Sequence, residues 1–233
     1  MIIRRTAQQC GQADFGWLQA RYTFSFGHYF DPKLMGYGSL RVLNQEVLAP
    51  GASCQPRTYP NVDILSLILQ GEIEYRDNDG HTIRAGVGEA LLLATHPGLS
   101  YSARNISNTS PLTQMHLWLD ACPTRSNQQV QRLKLPTQPH ALLASPDGEQ
   151  GSLQLRQQLW IHHLELQPGE QKTVALNGSR AYLQSINGSA TVSDEHHPSQ
   201  PINCGDGAFI REEKQLTIQA VTPLRMLLID LLA

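Results

Sequence analysis

Gly51-Ala52-Ser53-Cys54-Gln55-Pro56-Arg57-Thr58-Tyr59-Pro60-Asn61-Val62-Asp63, closed by Gly71, and Gly98-Leu99-Ser100-Tyr101-Ser102-Ala103-Arg104-Asn105 are the stretches on which the fold turns. Each opens on a glycine, a residue free to adopt the backbone conformation that a tight strand connection needs. The turns recur further along the chain. Leu48-Ala49-Pro50-Gly51 matches Leu166-Gln167-Pro168-Gly169, and Leu69-Gln70-Gly71 matches Ile186-Asn187-Gly188. Gly86-Val87-Gly88-Glu89-Ala90 matches Gly205-Asp206-Gly207-Ala208, and the offset stays at about 118 residues throughout. Three turn signals held at one offset predict a duplicated structural unit.

The segments between those turns are short and rich in Ile, Leu and Val: Val62 to Leu69, Ala90 to Ala94, Thr113 to Leu119, Ala181 to Ile186, Leu216 to Val221 and Leu224 to Leu231. Runs of that length set between Gly, Pro, Asn and Asp clusters predict strands, and many of them predict an antiparallel sandwich or jelly roll. Residues 128–151 carry Pro136, Pro139, Pro146 and Asp147-Gly148, and read as an interdomain connection with little regular structure. The expected division is therefore 1–127, a connection over 128–151, and 152–233.

The spacing of the quoted stretches resembles the two cupin motifs. Glycine, five residues, His-x-His, three or four residues, an acid and a turn glycine is matched by Gly51, Arg57-x-Tyr59, Asp63 and Gly71. The second motif is matched by Gly98, Tyr101 and Asn105. A longer stretch narrows the family: Tyr22-Thr23-Phe24-Ser25-Phe26-Gly27-His28-Tyr29-Phe30-Asp31-Pro32-Lys33-Leu34-Met35-Gly36-Tyr37 resembles the N-terminal signature of pirins, and Gly11 to Leu18 and Leu40 to Asn44 fit on either side. The resemblance implies an all-β bicupin, two cupin domains face to face in a monomer. It also implies an N-terminal cup holding an iron-like metal through three histidines and a glutamate, with quercetin dioxygenase activity in some members and regulation of transcription through partners in others. Carried over position by position, those ligand sites fall on Arg57, Tyr59, Tyr101 and Ala103. The second copy offers only Gln171, Thr173 and Ala175 after Gly169, so a structural role is expected for it.

Composition narrows the function classes. Eighteen basic and 20 acidic residues leave a net charge of -2, without the global basic field that draws in nucleic acid. No signal-peptide pattern and no run of about 18 apolar residues is present, so a cytoplasmic protein without a membrane partner is expected. The four cysteines, Cys10, Cys54, Cys122 and Cys204, contain no C-x-x-C pair and read as free thiols. Walker, dinucleotide-binding, G-x-S-x-G and H-E-x-x-H motifs are absent from the sequence.

At the cup, Arg57 has no lone pair to give a metal and stays charged at ordinary pH. It either replaces the metal's charge, so that a small anion or carboxylate sits between its guanidinium and the Tyr59 and Tyr101 hydroxyls, or it pairs with Asp63 and fills space, the plainer reading. Neither metal nor other cofactor is expected there. His28, His96 and His116 are the histidines that could rebuild a metal site. His162 and His163, adjacent on a strand, point to opposite faces and cannot share one ion, and His196 and His197 lie in a polar, solvent-facing loop. Of the aromatics Phe24, Phe26, Tyr29 and Phe30, core packing or the lip of the cup is expected.

Cys122 is the candidate redox-sensitive thiol, favoured by Arg125 and opposed by Asp120; Cys10, near a mobile terminus, competes with it, while Cys54 and Cys204 read as buried. The expected function is binding of a small ligand or redox sensing without catalysis. The alternative is a quercetin 2,3-dioxygenase-like oxygenase with a relocated metal site.

Overall fold

The structure, a computed structural model, describes residues 1–194 and 198–232. His196 and His197 lie outside the described residues. In chain order the first strands are β1 (Ile2–Arg5), β2 (Gly11–Asp14), β3 (Leu18–Tyr22), β4 (Leu40–Leu48), β5 (Ser53–Thr58), β6 (Val62–Gln70) and β7 (Glu72–Asp77). They are followed by β8 (Thr82–Gly86), β9 (Glu89–Ala94), β10 (Ser100–Asn105), β11 (Leu112–Asp120), β12 (Val130–Lys134), β13 (His140–Ser145) and β14 (Leu153–Gln154). The last are β15 (Leu159–Leu166), β16 (Gln171–Ala175), β17 (Arg180–Asn187), β18 (Ala190–Ser193), β19 (Gln200–Ile202), β20 (Gly207–Arg211), β21 (Gln215–Ala220) and β22 (Leu224–Leu231). Among the described residues no helix is long and apolar enough to cross a membrane.

Two units divide the chain, and each is an antiparallel pair of sheets. The first, Gly11–Leu135 with Leu153–Gln157, has a large sheet ordered β12-β9-β6-β11-β4-β3-β2 and a small one ordered β5-β10-β7-β8. In the second, Met1–Cys10, Pro136–Ser152 and Gln158 onward, β1-β20-β17-β22-β15-β13 run side by side in the large sheet and β16-β21-β18-β19 form the small one. Substituting β20 for β9, β17 for β6, β22 for β11 and β15 for β4 turns one large sheet into the other, so the duplication read from the turns is present in the topology. Each core lies between its own two sheets. In the first unit Ile64, Ile68, Leu91 and Leu112 of the large sheet cluster with Ile73, Tyr75, Ala85 and Tyr101 of the small one. Leu183, Ile210, Met226 and Leu228 meet Val192, Ile202, Leu216 and Ile218 in the second. Burial of each Ile, Leu, Val or Met among them is worth about 1.5–3 kcal/mol.

The duplicated turns have one physical cause. Gly71 and Gly188 hold φ of 80° and 77°, and a Cβ there would come within 2.9 Å of the Pro111 carbonyl oxygen and 2.0 Å of that of Pro223, respectively. Gly51 and Gly169 hold φ of 69° and 84°. The third pair is displaced by two residues from the sequence reading: the left-handed glycines are Gly88 and Gly205, whereas Gly86 and Gly207 are not left-handed.

Two expectations about boundaries need correction. Residues 128–151 are not an irregular connection, since β12 completes the edge of the first unit's large sheet against β9, and β13 pairs with β15 in the second. The N-terminal residues do not belong with 1–127 either: β1 pairs with β20 as the edge strand of the second unit, so the segment before Cys10 is tied into a sheet rather than mobile. Hydrophobic patterning locates strands but not the edge to which a terminal strand is added.

Leu153–Gln157 belongs to the first unit, and the reason is electrostatic. The Asp63 carboxylate at the start of β6 is fully buried, and Arg156 meets it with both its backbone N–H (2.7 Å) and its Nε–H (2.8 Å). The same guanidinium donates to the Val62 and Thr95 carbonyls and to Asn61. Asp63 is therefore engaged by Arg156, not by Arg57.

Candidate functional site: the N-terminal cup

The first unit encloses a cavity of about 570 Å³ whose walls come from both of its sheets. Arg57, Tyr59, Tyr101 and Ala103 all line it. Pairing of β5 with β10 sets Arg57 opposite Tyr101, and a register shift between Tyr101 and Ala103 re-aims the strand at that point. Because β5 is mostly exposed, Arg57 stands at the lip, where its guanidinium lies 5.3 Å from the centre of the Phe26 ring. The aromatics expected together are divided: Phe24 is core, Phe26 forms the lip, Tyr29 packs on Gly11, and Phe30 is exposed.

The opposite wall was missed as a set. Glu46 on β4 and Gln114 and His116 on β11 face the cavity, Glu46 and Gln114 being register partners. The two Glu46 carboxylate oxygens accept the amide N–H groups of Asn44 (3.2 Å) and Gln114 (3.0 Å). A sequence signal existed: polar residues two apart in otherwise apolar strands, Asn44 with Glu46 and Gln114 with His116, mark one face of a sheet. Only the fold says that this face is the interior.

Ring packing carries the cavity inward. Tyr59 lies 5.1 Å from Trp118 and 6.3 Å from Tyr101, which in turn meets Tyr75 edge-on at 6.2 Å. Burial pushes the Tyr59 hydroxyl up to about 12, with Arg57 opposing the rise and Glu46 adding to it. Burial likewise raises Tyr101, and Tyr75 well above the usual phenol range. The phenols are neutral at ordinary pH.

These residues do not fit a transition metal. Ala103 has no donor atom, Arg57 brings a positive charge, and protonated phenols are poor ligands. His116 accepts the Trp118 indole N–H at Nε2 (2.8 Å), so the neutral ring carries its proton on Nδ1, 3.5 Å from Ser66 Oγ. Burial holds its pKa down, and no lone pair is left for an ion. Among the described residues, the one convergence of three His, Cys, Asp or Glu donors is Asp77, Asp79 and His81, a hydrogen-bonded turn outside the cup. His28 packs against Phe15 and Tyr22, and His96 is exposed. In the second unit His162 meets His140 (3.1 Å) while His163 accepts the Arg225 Nε–H (2.9 Å).

The thiols are dispersed. Cys122, on the turn after β11, sits 3.2 Å from Thr124 Oγ1, and its pKa is lowered first by Thr124 and further by Arg125. Asp120, expected to oppose this, is paired with Arg41 at 2.6 Å. Cys10 follows a single helical turn, with its thiol 3.8 Å from the Thr6 carbonyl. Cys54 lines the cup, half-buried, and burial pushes its thiol up to about 11. Cys204 is exposed, contrary to the buried position expected for it.

Comparison with known proteins agrees with this architecture. The family described as Pirin matches residues 3–119, and the Quercetinase C-terminal cupin domain matches residues 142–231. Pirin-like protein YhaK of Escherichia coli (strain K12) is 63% identical over 231 residues, covering 99% of both chains. Quercetin 2,3-dioxygenase of the same strain is 29% identical, again with 99% of each covered. The crystal structure of bacterial pirin YhhW from Escherichia coli in complex with nickel(II) superposes with a TM-score of 0.92 at 28% identity, over 99% of each chain. The chain is an all-β bicupin and belongs to the pirin family.

Proposed function

We propose that this chain is a pirin that works without a metal, binding a small molecule in its N-terminal cup rather than turning over a flavonol. The observation that carries the reading is the chemistry at the four ligand positions. Arg57, Tyr59, Tyr101 and Ala103 share one cavity and present a cation, two protonated phenols and a methyl group. A dication 4 Å from the Arg57 charge would be repelled by about 4 kcal/mol per unit charge pair at moderate effective dielectric. Loss of the ligands leaves the sandwich intact, because its cohesion comes from the apolar cluster between the sheets and from the Arg156–Asp63 pair.

The oxygenase reading draws support from relatives named as quercetin dioxygenases. Equilibrium dialysis against nickel(II) and iron(II), followed by metal analysis and a flavonol consumption assay, separates the two. The expected result is no stoichiometric metal and no flavonol consumption; one bound metal per chain with turnover would establish the oxygenase. Replacing the set together (Arg57→His, Tyr59→His, Tyr101→His, Ala103→Glu) is expected to confer nickel(II) binding on the same scaffold. A redox-sensing role at Cys122 is compatible with the same protein, supported by the lowered pKa of that thiol.

A further inference from the structure

The charge deepest in the cup is negative. Glu46 is 9% exposed, and among the described residues it forms no ion pair; its partners are the two neutral amides of Asn44 and Gln114. A carboxylate accepts hydrogen bonds only, so both amides must turn their N–H groups to Glu46, which commits their oxygens to the other side. Gln114 Oε1, on a side chain 2% exposed, is then buried with no donor. That oxygen is closed off from the cavity, and the group that meets the cavity from this wall is the Glu46 carboxylate. Two amide donors leave part of the carboxylate's acceptor capacity unused, so Glu46 can take a further donor from the cavity.

Aromatic rings line the same cavity from the facing side. Tyr59 and Tyr101 line the same cavity with phenols that burial keeps neutral, and Phe26 at the lip already holds a guanidinium over its face. Neutral rings and a carboxylate lining one cavity favour an organic cation, through ring quadrupole and counter-charge together. An anion would find favourable charge only at exposed Arg57 and would be repelled as it approached Glu46.

We infer that the N-terminal cup binds a small organic cation, an amine whose ammonium sits on the Glu46 carboxylate while its apolar body packs on Tyr59, Tyr101 and Phe26. The inference rests on the proposal that the cup is a metal-free small-molecule site. It assigns Arg57 to the mouth as a competing cation rather than as the ligand's partner.

Calorimetry of the purified chain at neutral pH with benzylammonium, benzyl alcohol and benzoate tests it, three probes of nearly one shape and different charge. Benzylammonium is expected to bind at least about tenfold more tightly than either of the others. Glu46→Gln is expected to reduce its affinity to that of benzyl alcohol, and Arg57→Ala, an exposed substitution, to strengthen it by removing a like charge. Equal or tighter binding of benzyl alcohol or benzoate to the native chain, or binding of none of the three, overturns the cation assignment whether or not the Glu46 variant folds. Failure of the metal-free reading shows separately, as stoichiometric nickel(II) uptake in the dialysis experiment.

Discussion

At the scale of single residues, environment decides what each functional group can do. Two thiols make the contrast. Cys54 stands in the cup with its pKa pushed up to about 11 by burial and then by Glu46, while the Cys122 thiol is lowered by Thr124 and Arg125. The nucleophilic thiolate is therefore scarce at Cys54 and enriched at Cys122. After brief treatment with iodoacetamide or dilute peroxide at neutral pH, mass spectrometry is expected to find Cys122 modified well before Cys54; equal labelling would remove the redox proposal. Arg57 illustrates the limits of reading partners from spacing. Asp63 lies six positions away in sequence, yet its buried carboxylate is bound by Arg156, brought in from the short segment Leu153–Gln157.

At the scale of elements, the glycine turns are what the two units share, and they differ in how tightly their surroundings close. Gly188 combines a φ of 77° with a Cβ position 2.0 Å from the Pro223 oxygen, whereas Gly169, at φ 84°, has nothing within 4 Å. Gly169→Ala meets backbone strain alone and is expected to cost about 1 kcal/mol. Gly188→Ala adds a collision with backbone at the β17–β18 turn and is expected to cost about 3 kcal/mol or more. Urea denaturation midpoints of the two variants measure the difference, and equal losses would show that the turn relaxes around the new methyl. The strands themselves were legible because β6 and β22 are largely apolar, and β17 carries Ala181-Tyr182-Leu183 and Ile186 between its turns. Less legible were β1 and β12, short edge strands with alternating or exposed patterns, whose sheet membership depends on where the chain returns.

At the scale of the whole molecule, buried histidines couple stability to acidity. His162 and His163 have pKa values lowered from 6.5 to about 4, by burial first and then by His140 and Arg225 respectively, and burial also lowers His140. Between pH 6.5 and about 4 the unfolded chain binds protons at these rings that the folded chain does not, so stability falls as pH drops through that window. Asp230, whose carboxyl is raised by burial, acts in the opposite sense as a single group. The thermal midpoint is expected to decline from pH 7 to pH 4 and to decline less steeply in His162→Gln; a flat profile would mean that the rings are solvated. The sequence by itself determined the all-β class and the duplication, because turn glycines and apolar runs are local requirements that each segment must meet on its own; the grouping of Arg57, Tyr59, Tyr101 and Ala103 came from the resemblance to pirins. Only the tertiary structure decided that Glu46 and Gln114 share the cup with them, that His116 spends its lone pair on Trp118, and that Asp63 belongs to Arg156. Those pairings join residues distant in sequence, and which donor reaches which buried acceptor is set by strand register and chain return rather than by spacing.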